Sequence, residues 1–521
     1  MKHFAALVDR LTMTPQPDHQ IALIRAYLQQ TPDPDRGYAL AALTGALTLR
    51  AVRPTQLRSM MAERADPILL DMSLDYVGDL AETVALLWPP SQTNSPPPSL
   101  SEIVQTLAET PKAESEAVLV GWLDACEPAT RYILLRLLMG GVRTGLPSRR
   151  VKAAIAALSE TINQADVEEV WHALSAPYTA LLDWIEGRGA RPDTSGIPTF
   201  SPLMRGSTIT KPEPEPEPEM MAEYLWTGAR VLWVQDQGRV RLFSSAGDDL
   251  SAAFPDLTKP LSQDAVLDGQ LVVLRDGKPG TAEDLQRRLR RKTVTAALLR
   301  ESPATVRFYD MLGQNGQDMR DFALSQRRGR LEAFADKHDL LLSPLLPANE
   351  LSALHENLGE VDGAEGIILK RADRPYVAGM HADDWLEWPR AALRFQAVLL
   401  YVQRASGGAN AALTEFTLGA VIDGAEDGAT LVPIGKVSTA DMTTEDLSAI
   451  NAYARENTIE RFGPVRSIRA GLVLDIACDG IEASTRRKSG LRLNGTRALK
   501  LASNTAWQDA NSLKSLLNLI R

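Results

Sequence analysis

A chain of 521 residues, 44% hydrophobic and 23% charged, has ordinary globular composition, which excludes a wholly disordered or collagen-like protein. It is too long for one hydrophobic core, so roughly two to four domains are expected. The formal net charge of -10 argues against a polyanionic partner unless basic residues are concentrated locally, because steering follows clusters and not totals.

Cys126 and Cys478 are the only cysteines, too few for a disulfide framework and suited to a reducing compartment. The histidines show no spacing that would hold a structural metal. Asp9 and Arg10 cut short the apolar run of MKHFAALVDRL, and no long uninterrupted apolar stretch follows, so no membrane partner is expected and the expected place is the cytoplasm.

From Phe4 to about Ile185 apolar residues recur at helical spacing, as in FAALVDRL, DLAETVALLW and TRYILLRLLMGGVR, which predicts an all-helical segment. Pro96, Pro97 and Pro98 mark a loop within it. KPEPEPEPE, Lys211 to Glu219, alternates proline with like charge; it forbids helix or ladder and predicts an extended spacer. The period then changes to two: VLWV, a DQG turn at Asp236 to Gly238, and VRLF predict a β-hairpin. Further strands in AVLDGQLVVL, TVRFYDML and EGIILKR alternate with helical AEDLQRRLRR and QRRGRLEAFA, an α+β pattern. Beyond about Arg390 short strands dominate, in FQAVLLYVQ, TEFTLGAVI, TLVPIGKV and LVLDIACDGI, with one helix near Thr444 to Asn457. A small β-barrel fits, and the OB-fold is the natural candidate.

Taken in order, these segments resemble the bacterial ATP-dependent DNA ligases, in particular those of the cisplatin damage response. The family's nucleotide motif E-x-K-x-D-G-x-R, ahead of a hairpin, corresponds to EYLWTGAR, Glu223 to Arg230. RLFSSAGDDLSAAFPDL, DGQL at Asp268, FYDML at Phe308, EGIILKR at Glu365 and WLEWPR at Trp385 follow in the family's order. GGVRTG, Gly140 to Gly145, looks like a DNA-backbone loop. Any one fragment is weak; their colinearity carries the weight. The resemblance implies a helical DNA-binding domain at 1–195, a Pro/Glu linker at 196–219, an adenylation (nucleotidyltransferase, ATP-grasp-like) domain at 220–390 and an OB-fold domain at 391–521.

It also implies ATP and Mg as cofactors, with a lysine that attacks the α-phosphate and carries AMP. Leu225 stands at that lysine's position, and an isobutyl group has no lone pair with which to form a phosphoramidate. Thr227 replaces the aspartate of the same motif, and Gln270 replaces a carboxylate expected to help bind metal. Glu387 and Pro389 stand where the family has two phosphate-binding lysines, and one of these changes inverts the charge. Ser245, Asp248, Asn504 and Thr505 also depart from the family pattern. By resemblance, Glu223 and Tyr309 would meet adenine, Arg230 the ribose, Glu365 a metal and Lys370 a phosphate. The plainer alternatives stay open: an ion pair of Glu223 and Arg230, a core tyrosine, a strand-end lysine. ATP and Mg binding are therefore expected to be weak or lost.

Three basic clusters fall where related ligases encircle duplex DNA: Arg143, Arg149, Arg150 and Lys152; Arg287, Arg288, Arg290, Arg291 and Lys292; Arg486, Arg487 and Lys488. Each phosphate neutralised adds counterion-release affinity, although a charge run is also what any solvated helix face looks like. The expected function is that of a monomeric repair protein that binds nicked duplex DNA, alongside a repair helicase or nuclease, without adenylating itself. An active ligase using a surrogate lysine, such as Lys259 or Lys370, and a scaffold that has lost DNA binding are the competing readings.

Overall fold

The computed structural model describes the chain except for residues 91–94, 112–113, 143, 210–219, 276, 290, 292, 382, 405–412, 423–429 and 521. The proline–glutamate spacer and the side chains of Arg143, Arg290 and Lys292 therefore lie outside the described residues. Two compact units divide the chain, Met1–Trp388 and Pro389–Arg521.

The first unit opens with helices only, from Lys2–Met13 to Thr179–Ile185. Local sequence sets their ends. Ser99 and Glu102 form a reciprocal capping box on Leu100–Glu109, and Asp66 with Pro67 starts Pro67–Val77, which Gly78 stops in the left-handed region at φ 77°. Phe4, Leu11, Ile24, Leu134 and Leu138 line the shared helical core.

Ten of the strands that follow among the described residues build two sheets: β1 (Ser207–Thr208), β2 (Met220–Trp226), β3 (Ala229–Asp236), β4 (Arg239–Ser244), β5 (Ala265–Arg275), β6 (Ala304–Gln314), β7 (Gln317–Asp318), β8 (Leu345–Leu346), β9 (Ala364–Arg371) and β10 (Trp385–Pro389). One sheet has the order β8-β2-β9-β10-β1 and the other β4-β3-β5-β6-β7. The expected hairpin is β3–β4, turned by Gln237 at φ 46° and Gly238 at φ 72°, the two positive angles of a type I′ turn. At the β2–β3 turn, a Cβ on Gly228 would come 2.1 Å from the Leu271 carbonyl oxygen, so only glycine fits.

VLWV has no polar alternation because its sheet is covered on both faces. Val231 and Trp233 join the core built on Leu331 and Phe334 of helix Leu324–His338, whereas Leu232 and Val234 face the core of Phe243, Ile368 and Trp385.

The helical segment is tied to the central sheets by polar contacts. His172 Nε2–H donates to the Gly247 carbonyl at 2.8 Å, Arg241 donates to the His172 carbonyl at 3.0 Å, and Arg320 pairs with Glu169 at 2.5 Å. Burial, seconded by the positive charge of Lys152, drives the His172 imidazole down to about 4.

In the second unit, β11 (Leu393–Arg404), β12 (Leu413–Ile422), β13 (Thr430–Ser438), β14 (Val473–Cys478) and β15 (Arg497–Leu501) close a circuit β11-β12-β13-β15-β14-β11. The β13–β15 join is parallel and the others antiparallel. Helix Thr444–Glu456 lies between β13 and β14 in the chain and plugs the core with Ile450 and Ala454. Closure removes the free edges that such short strands would otherwise expose.

Candidate nucleotide cleft and basic surfaces

Successive side chains of β2 alternate between faces, so Glu223 and Leu225 share one side and Ala222, Tyr224 and Trp226 the other. The β2–β9 register sets Glu223 opposite Ile368 and Leu225 opposite Gly366. Glu223, at 2% exposure, accepts from Lys370 Nζ at 2.5 Å and from Arg328 at 2.6 Å. Neither ligand-facing role expected of Glu223 and Lys370 is free: each is the other's partner. Lys370 also lies 4.1 Å from the centre of the Tyr309 ring and 4.7 Å from that of Trp385. Removing one member of such a buried set leaves an uncompensated charge, at a cost of about 3–5 kcal/mol.

Arg230 does not pair with Glu223. It makes a two-pronged contact with Asp268, at 2.6 and 3.1 Å, and donates to the Met204 carbonyl at 2.6 Å. The Tyr376 hydroxyl donates to the same Asp268 at 2.8 Å. Burial works against the Arg230 charge, but Asp268 outweighs it and holds the guanidinium well above its ordinary value. Burial likewise pushes the phenols of Tyr309 and Tyr376 well up. Glu387, half-buried on β10, has its carboxyl raised by burial, an effect that Arg230 partly offsets. Tyr309 packs edge-on against Trp385 and borders the cluster of Met204, Ile368, Tyr376 and Trp385, so the inner face of the cleft is an aromatic core with most of its charges internally matched.

Gln270 stands opposite Arg230 on one neighbouring strand and opposite Arg307 on the other. Glu365 is exposed at an irregularity in the β9–β2 ladder and borders a small cavity of about 110 Å³ with Thr227, Gly228 and Val272. Pro389 ends β10 and is exposed; Ser245 and Asp248 lie on the exposed turn after β4. Asn504 is exposed and Thr505 half-buried after β15 of the second unit.

The basic clusters sort by exposure. Lys152, at 1% exposure, is paired with Glu168 at 2.7 Å, and Arg288, at 0%, is bound to Asp256 and to the Ala253 carbonyl. Both were expected on a DNA-facing surface; burial removes them from it, because each neutralises a carboxylate that would otherwise be stranded in the interior. Arg150 is half-buried and donates to Gln20 at 2.5 Å. Helix Ala282–Leu289 ends before the expected basic run does, leaving Arg291 beyond it. Arg149, Arg287 and Arg291 are exposed in the first unit, and Arg486, Arg487 and Lys488 in the second.

Sequence reasoning missed Asp268, Tyr376 and Arg328 as organisers of the cleft. Asp268 left a signal, a lone carboxylate inside a strand otherwise buried on both faces; Tyr376, in a loop, left none. It also missed a cavity of about 320 Å³ between the helical segment and the central sheets, lined by Glu169, Arg191, Gln235, Asp264, Asp318 and Arg320.

Two facing sheets with an aromatic, arginine- and lysine-lined cleft, in a unit that opens with a helical region, define a domain of the nucleotidyltransferase type. Its central segment matches the model of the ATP dependent DNA ligase domain over residues 207–388. The DNA ligase of Methanoculleus marisnigri is 26% identical over 427 residues, covering 78% of this chain and 75% of its own. DNA ligase 1 of Korarchaeum cryptofilum is 24% identical over 542 residues, covering 99% of this chain and 97% of its own. A mycobacterial DNA ligase D solved with ATP and MES is 21% identical and covers 60% of this chain and 98% of its own, at a TM-score of 0.34. Residues 207–388 thus carry an ATP dependent DNA ligase domain, and the chain as a whole is similar to these DNA ligases.

Proposed function

We propose that this protein binds nicked duplex DNA in repair and cannot load AMP onto itself. One observation carries the reading: Leu225 occupies the place of the nucleophilic lysine, and no surroundings give an isobutyl group a lone pair. Lys370, a candidate surrogate, is buried between Glu223, which accepts its hydrogen bond, and the rings of Tyr309 and Trp385, so it is already engaged in the interior. Glu387 and Pro389 add no cation for a triphosphate, so ATP and Mg are held weakly or not at all.

Within the first unit the reading assigns DNA binding to 1–195 and the disabled adenylation site to 220–390, joined by 196–219. It treats 391–521 as an OB-fold, whose strand order would be the closed circuit described above, and takes the exposed Arg149, Arg287, Arg291, Arg486, Arg487 and Lys488 as phosphate contacts. Incubation with α-labelled ATP and Mg is the test. No label should stay on the protein after denaturation; a covalent AMP adduct, or sealing of a nick by the protein alone, ends the reading. Nicked-duplex affinity should fall as salt rises, by a slope of about one per phosphate contact.

A further inference from the structure

The positive charges of the cleft are mostly in pairs already made: Arg230 with Asp268, Arg327 with Asp310, and Lys370 and Arg328 with Glu223. Arg307 differs. It stands on β6 opposite Gln270 of β5, and its guanidinium lies 3.9 Å from the centre of the ring of Trp226, which ends β2. Among the described residues no carboxylate or carbonyl pairs with it, and burial is the influence that lowers its pKa. Trp226 is itself fixed, 6% exposed, with its indole N–H on Ser343 Oγ at 3.0 Å.

An indole beneath a guanidinium satisfies only the π face. The N–H edge remains, with donors in the fork geometry that matches two phosphate oxygens. Directly opposed residues on neighbouring strands share a face, so Gln270 is Arg307's neighbour there, and its neutral amide neither quenches the charge nor repels an anion. A half-desolvated cation with no internal counter-ion draws an anion more strongly than a surface arginine does, because its Coulomb attraction is screened less.

We infer that Arg307 is an anion receptor that takes a terminal phosphate group without a divalent metal. The inference rests on the reading above that the chain binds nicked duplex DNA, whose 5′-terminal phosphate is one source of that group; a free nucleotide is the other. No bond is made or broken: the guanidinium donates, the phosphate accepts.

The test titrates two nicked duplexes, alike except for a 5′-phosphate or a 5′-hydroxyl at the nick, onto the full chain in EDTA, with intact duplex and ATP as further arms. The phosphorylated nick should bind tighter by about tenfold or more, the range of hydrogen bonds to a charged group. Arg307→Gln should erase that preference and Arg307→Lys should keep part of it, with intact-duplex affinity and thermal unfolding unchanged in both. Arg307-dependent binding of ATP without any nick preference would keep the receptor and assign its phosphate to a nucleotide. If both nicks bind alike and ATP is indifferent to Arg307→Gln, the receptor is refuted while duplex binding stands. A preference that appears only with Mg refutes the metal-free form. Failure to bind any duplex at low salt removes the DNA reading together with its 5′-phosphate.

Discussion

The nucleotide cleft and the basic surface treat charge in opposite ways. In the cleft, Glu223, Asp268 and Asp310 are each matched to buried cations. On the surface, Arg149, Arg287 and Arg291 stay exposed. A cleft whose charges are matched internally gains rigidity and, on the proposed reading, loses the means to hold a triphosphate; a surface that leaves its charges in water gains little stability and leaves them open to the proposed partner. The same residue type thus means different things a single position apart, as Arg287 and Arg288 demonstrate on one helix.

Glu223→Ala should be the most damaging change, stranding Lys370 and Arg328 and lowering stability by about 3–5 kcal/mol in urea unfolding. Arg288→Ala should approach it, since Asp256 would lose its partner beside the core, whereas Arg287→Ala next door should leave the unfolding midpoint where it was. Equal effects of the two arginine variants would break the contrast.

Acid should act on the first unit through His172. Its folded pKa, about 4, is depressed below the unfolded value of 6.5, so the unfolded chain binds the proton first as pH falls. Stability from this group is therefore complete above about pH 6.5 and lost progressively down to about 4, by roughly 3 kcal/mol in total. His172→Asn should flatten that part of the stability profile; an unchanged profile would show that the imidazole is not held neutral at the Gly247 contact.

The surface changes come next. Arg287→Ala and Arg291→Ala should each weaken duplex binding a few-fold and reduce the salt slope by about 1, with no loss of stability. A change in stability without a change in slope would move these arginines to the interior class. Leu225→Lys alone should have the smallest effect, giving no AMP adduct, because on the proposed reading Glu387 still stands where a phosphate-binding lysine is needed; labelling by this single variant would show that the rest of the cleft remains competent.

Much of the fold was legible from periodicity, because covering a helix or a sheet with apolar residues leaves a mark of period 3.6 or 2. The helical segment, the β3–β4 hairpin, Thr444–Glu456 and the strands of the second unit all fall where the pattern put them. The losses proposed for the candidate cleft, at Leu225, Gln270, Glu387 and Pro389, rest on chemical type read against the resemblance and not on coordinates.

What the sequence by itself determined is therefore the order of elements and the absence of a side-chain nitrogen at position 225, both properties of the chain read residue by residue. Only the tertiary structure decided which charges are free. Glu223 meets Arg328 across 105 residues and Lys370 across 147, and Lys152 meets Glu168 from a separate helix. An ion pair depends on distance and dielectric, not on spacing along the chain, so the same run of arginines yields one buried strut at Arg288 and exposed cations at Arg287 and Arg291.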